Sequence, residues 1–209
     1  MEGKKVINNL CLPQNAPFVY DPDDSSNRPV KGIHDNVINF WKLYPDYIHN
    51  AFILSFTKGV KNPNSRIIEN EWQKLFIRLR SEIITCRCGK SDFASMYQKL
   101  NEKVYRCPQC GTTFTSLKIS SCPYRIPLYI GSKLYKCEIY PDSDDFTEIT
   151  GEIIENSITP GLLGIKNCSG KTWIAKMPDN IFYHIPSGKG FPIWEGLEIN
   201  FGKNIKASI

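Results

Sequence analysis

Four of the chain's eight cysteines fall in two short stretches that resemble each other, "ITCRCGKSDF" (84–93) and "YRCPQCGTTF" (105–114). In the second, Cys107 and Cys110 form Cys-x-x-Cys-Gly, a spacing that lets two thiolates grip one metal ion while glycine allows the tight turn behind them. The first is Cys86-x-Cys88-Gly, one residue shorter. Together the four would close a tetrahedral structural zinc site, and the 18 residues between Cys88 and Cys107 suit a small ribbon. The irregular first pair leaves Cys122 or Cys137 as substitutes for Cys86. A catalytic zinc would want an open position and His or carboxylate ligands, and no histidine is near. Buried free thiols explain single cysteines, Cys11 and Cys168 among them, better than two Cys-Gly hairpins. A redox pair would want a flanking βαβ pattern that is absent.

No other chemistry stands out. His34, His49 and His184 lie in separate segments without partner context, and "CSGKTW" (168–173) lacks the first glycine of a phosphate loop. "DPDDSSN" and "YPDSDDFTE" are acidic, but neither alternates as a calcium loop does. Catalytic residues are therefore expected to be none.

The elements that must hold the cysteines follow from pattern. Residues 1 to about 35 read as loop. Pro45 suits a helix start and Gly59 a helix stop, with Tyr47, Ile48, Ala51, Phe52 and Phe56 along one face. A second helix from about Glu69 places Trp72, Leu75, Phe76, Leu79 and Ile83 on a stripe, with Glu71, Lys74 and Arg78 outside it. Beyond residue 126, short apolar runs alternate with turns as in an antiparallel sandwich. The fold class is α+β: a helical part (1–83), a zinc ribbon (84–125) and a β-sandwich (126–209). No stretch approaches the ~20 apolar residues that span a bilayer. With no signal peptide visible, a cytoplasmic location is expected. The net charge of +5 permits contact with nucleic acid without demanding it. Arg87, Lys90, Lys99, Lys103 and Arg106 around the cysteines could meet phosphates.

The order of segments resembles the C-terminal portion of bacterial eukaryotic-like Ser/Thr protein kinases that carry a zinc ribbon and a β domain after the kinase. The carrying stretches are "EGKKVIN", "PFVYDPDDSSNRPVKGIHDNVINFW", "LYPDYIHNAFILSFTKGVKNPNSRIIENEW" and "RLRSEIITC". The two cysteine hairpins and "GLLGIKNCSGKTWIAKMPDN…IPSGKGFPIWEGLEINFG" continue it. The resemblance implies that residues 1–83 are a remnant of the kinase's larger lobe. It also implies that Arg66 is the arginine that pairs with a glutamate at the end of the activation segment. Where the family tends to have threonine as a helix cap, this chain has Ile68.

The nucleotide loop, strand lysine, catalytic loop, Asp-Phe-Gly and Ala-Pro-Glu motifs are missing. In such kinases all of them precede the point that matches Met1. The resemblance thus implies a truncated or split kinase, inactive alone, that docks to signalling partners or to a kinase front half. ATP and magnesium would enter only with that front half. The β-sandwich resembles a forkhead-associated domain but lacks the Gly-Arg and Ser-x-x-His features of a phosphothreonine pocket. Phosphopeptide reading and nucleic-acid binding by the ribbon stand as the alternatives to docking.

Overall fold

A computed structural model describes residues 17–209; Cys11 and the stretch "EGKKVIN" lie outside them. The chain divides into two units, Met1–Trp72 and Gln73–Ile209.

The described part of the first unit is helical. Helix α1 (Asp35–Trp41) is followed by α2 (Asp46–Phe56), which starts directly after Pro45, and by a short α3 (Lys58–Lys61). α2 stops earlier than Gly59. Thr57 turns its hydroxyl back onto the Ile53 carbonyl at 2.6 Å and breaks the helical run. Gly59 instead lies buried inside α3, where an added Cβ would come within 3.2 Å of the Arg66 side chain. Of the expected apolar face of α2, Ile48 and Ala51 are buried while Phe56 is exposed. Aromatic rings supply much of the remaining packing: Tyr20 stacks on Trp41 at 4.2 Å, and Trp41 on His49 at 4.4 Å.

Helix α4 (Glu69–Ser81) buries Ile77 and Ser81, and leaves Phe76 of the expected stripe exposed. In the helix's second half two arginines lie over aromatic rings. The Arg80 guanidinium lies 3.5 Å from the centre of the Tyr135 ring, and Arg78 lies 5.2 Å from that of Tyr124. An arginine over an aromatic face is attracted by the ring while its head stays in contact with solvent.

In the second unit, β1 (Ile83–Thr85) and β2 (Ser91–Phe93) form a hairpin. Strands β3 (Gln98–Lys99), β4 (Val104–Arg106), β5 (Thr113–Ile119) and β6 (Arg125–Pro127) follow. Next come β7 (Lys133–Tyr135), a helical turn α5 (Lys136–Ile139), β8 (Ile149–Glu155) and β9 (Leu163–Asn167). β10 (Trp173–Lys176), β11 (Phe182–Ile185), β12 (Gly190–Pro192), β13 (Glu198–Gly202) and β14 (Ile205–Ser208) complete the unit.

One sheet runs β11-β10-β13-β14-β5-β4-β3 with β6 also on β5, and another runs β12-β9-β8-β7. Every pairing is antiparallel. Alternate residues of both sheets point into one core: Leu117, Trp173, Ile199 and Phe201 from the first meet Leu134, Ile153 and Ile165 from the second. Trp173 and Phe201 pack edge to face at 4.8 Å. Gly151 is required here, since a Cβ at that position would stand 3.0 Å from the Trp173 ring and 3.2 Å from Leu134.

Strand β5 has two allegiances. Its first half, Thr113–Thr115, pairs with β4 beside the cysteines, and its second half, Ser116–Lys118, pairs with β6. The strands beside the cysteines and the β core therefore share a strand. Among the described residues no helix is long and apolar enough to cross a membrane.

Candidate metal centre

The strand endings of β1 and β4 deliver the cysteines. After β1 the chain turns at Gly89, whose φ of 91° is the left-handed conformation that glycine adopts without strain. Gly89 N–H donates to the Cys86 carbonyl at 2.9 Å, and Cys86 N–H donates to the Lys90 carbonyl at 2.8 Å. After β4 the same construction recurs. Gly111 has φ 77°, its N–H donates to the Cys107 carbonyl at 2.9 Å, and Cys107 N–H donates to the Thr112 carbonyl at 2.8 Å. The two knuckles have matching hydrogen bonds although the first is one residue shorter.

Together they bring Cys86, Cys88, Cys107 and Cys110 into one group, with all four Sγ atoms within 4.8 Å of one another. Cys86 and Cys110 Sγ lie 3.4 Å apart, and Cys88 and Cys107 Sγ 3.7 Å. A tetrahedron of thiolates with bonds of ~2.3 Å has edges of ~3.8 Å, so the spacing suits one ion at the centre. It is too long for disulfides, whose sulfurs sit ~2.05 Å apart. The four cysteines could thus hold a metal ion such as zinc.

Burial and hydrogen bonding split the thiols. Burial pushes Cys86 up to about 12. The Thr112 hydroxyl and backbone N–H hold Cys110 down to about 6. A dication would favour the thiolate form at all four positions. Beneath the group lies a small core of Ile84, Ala94, Tyr97 and Phe114. The buried Tyr97 hydroxyl reaches the carbonyls of Ile84, at 2.9 Å, and Lys90, at 3.1 Å, fixing the first knuckle from below.

The other thiols stand apart. Cys122 is buried in the β core, where desolvation pushes it up to about 11, and Cys137 is likewise raised to about 11. Neither joins the group, and Cys168 is exposed.

The remaining candidates have local roles. Arg66 is exposed, and its Nε donates to the Gly59 carbonyl at 2.7 Å; among the described residues it forms no ion pair. His34 Nδ1 accepts from Val30 N–H at 3.0 Å, and a His49 ring nitrogen lies 2.6 Å from the Trp41 carbonyl. The acidic stretches serve their own turns: Asp21 and Asp24 accept from Asp23 and Ser26 N–H, and Asp145 accepts from Thr147 and Glu148 N–H.

Around the four cysteines, three of the five basic residues are engaged. Arg87 meets Glu155 at 3.2 Å, Lys90 meets Asp92 at 3.1 Å, and Lys103 Nζ donates to the Ile209 carbonyl at 3.3 Å. Glu138, a carboxylate buried in the β unit, is a residue that the sequence does not single out. It accepts from Tyr124 Oη and from Tyr135 N–H, both at 2.9 Å. Its signal is hidden because a single glutamate in a short apolar run reads as the solvent-facing member of an alternating strand.

Compared with known proteins, the chain matches no family model, no curated protein and no solved structure.

Proposed function

We propose that this chain is a non-catalytic, zinc-stapled docking part of a Ser/Thr protein kinase-like signalling protein, with Cys86, Cys88, Cys107 and Cys110 as the structural ligands. The observation that carries the structural role is the closed set of four sulfurs. Four protein ligands fill a tetrahedral ion and leave no position for substrate or water.

Docking is supported by the first unit, which buries little and exposes Val30, Ile33, Phe40, Phe56 and Ile68. Apolar side chains in such number on a small helical unit favour a partner surface. The kinase relation rests on the sequence motifs. In that reading the exposed Arg66 is available to a carboxylate of a kinase front half, and ATP with magnesium would belong to that half. The forkhead-associated likeness of the β unit is part of the same proposal.

Metal analysis of the purified chain should give about one zinc per chain, with loss of the 84–114 fold when a chelator removes it. Titration with ATP and magnesium should show no saturable binding. A metal-free protein with an intact fold would overturn the zinc assignment. Stoichiometric ATP binding would overturn the non-catalytic one.

A further inference from the structure

The outward face of the large sheet is open. β-strand residues alternate between faces, so the strand register places Phe182 and His184 of β11, Ile174 and Lys176 of β10, and Lys206 of β14 on the side away from the core. Their inward neighbours Trp173, Ala175, Ile199 and Ala207 are buried. Phe182 keeps 61% of its surface and Ile174 37%, so both rings and chains on this face remain open to a ligand.

Phe182 and His184 are two residues apart on an edge strand, which sets their side chains ~7 Å apart on the same face. That separation resembles the distance between successive bases of an extended strand, and rings so placed can each take a base. The charges around them are of one prevailing sign. On the strands Lys176 and Lys206 flank one carboxylate, Glu198, which stands opposite Lys176; Lys118, beside Ser208, donates to the Cys122 carbonyl, and Asp179 lies in the turn between β10 and β11. Among the described residues neither Lys176 nor Lys206 forms an ion pair.

We infer that this face binds single-stranded nucleic acid, with Phe182 and His184 stacking on bases and Lys176 and Lys206 meeting phosphates. A charged rim beside exposed rings is what a single strand uses, because its unpaired bases are free to stack while its backbone follows the cations. Duplex DNA hides its bases, and an acidic peptide without aromatic residues, such as polyglutamate, has no ring to stack. The inference stands apart from the docking role and from the ribbon, whose basic residues are largely engaged.

The test is fluorescence anisotropy of the zinc-loaded full chain with a labelled oligothymidylate of about 15 nucleotides in ~50 mM salt. Saturable binding is expected, weakening linearly in log–log terms with salt. Replacing both lysines (Lys176→Ala with Lys206→Ala) should flatten that slope by ~0.7 for each phosphate no longer neutralised. Phe182→Ala should weaken binding by about five- to a hundredfold with the slope unchanged, and Phe182→Tyr should retain it. Thermal melts compare the folding of each variant with the parent. Lys99→Ala with Arg106→Ala, on the ribbon, should bind as the parent does. Four results would overturn the inference: no saturable binding, weakening only in the ribbon variant, equal affinity for duplex or polyglutamate, or a folded Phe182→Ala chain that binds undiminished.

Discussion

Cys86 shows how a local irregularity can be absorbed by hydrogen bonding. Its knuckle is one residue shorter than that of Cys107, yet the Cys N–H and the Gly N–H close both turns in the same way. Cys88→Ser should therefore abolish stoichiometric zinc in the purified protein, whereas Cys122→Ser, in the β core, should keep it. Retained zinc in the first variant, or absent zinc in a folded second one, would point to a different ligand set.

Glu138 supports a pH prediction. Burial raises its carboxyl above the usual range, opposed in part by the Tyr135 N–H and the Tyr124 hydroxyl that donate to it. The folded state then binds more protons than the unfolded state between the ordinary value and the raised one. Its favourable contribution is complete below the ordinary carboxylate range and is lost as pH rises through the raised value. Glu138→Gln can accept from Tyr135 N–H and donate to Tyr124 Oη without a charge. Urea unfolding of that variant should show a flatter pH dependence and greater stability at neutral pH than the parent. Equal slopes would mean that Glu138 titrates alike in both states.

At the scale of elements, α4 begins with a half-made cap. Glu71 accepts from Ile68 N–H at 3.2 Å, but the isoleucine has no oxygen to return to the helix. Ile68→Thr should complete the reciprocal pair and stabilise the helix by about 1 kcal/mol, visible as a shifted urea midpoint. Sheet packing is less forgiving. Gly151→Ala places a methyl against Trp173 and Leu134, and should cost about 1–3 kcal/mol in the same measurement.

Legibility follows the range of each interaction. The apolar runs at 133–140, 150–156, 162–167, 171–178, 181–186 and 197–202 overlap β7, β8, β9, β10, β11 and β13, because alternation is written locally, whereas the run at 126–131 supplies only the end of β6. The four clustered cysteines are readable for the same reason. β12 is not, being three residues long and paired only with the distant β9. Lys136–Ile139 reads as strand but forms a turn of helix, closed by Glu138 accepting from Tyr135 N–H.

For the whole molecule, the arginines of α4 are the instructive failure. A period of 3.6 residues marks one apolar face, but Arg78 and Arg80 sit over Tyr124 and Tyr135, residues over 40 positions away. No local pattern encodes such a pairing. The open sheet face is likewise invisible in the sequence, because Phe182, Ile174 and Lys206 become neighbours only through strand register.

The shared strand has a consequence for heredity. A recombination break anywhere in 113–119 would leave one recipient with a knuckle lacking its supporting strand and the other with a sheet missing an inner member. Neither half would be a usable cassette. Selection should therefore transmit the cysteine hairpins and the β core as one block, and swaps between lineages should have their junctions elsewhere.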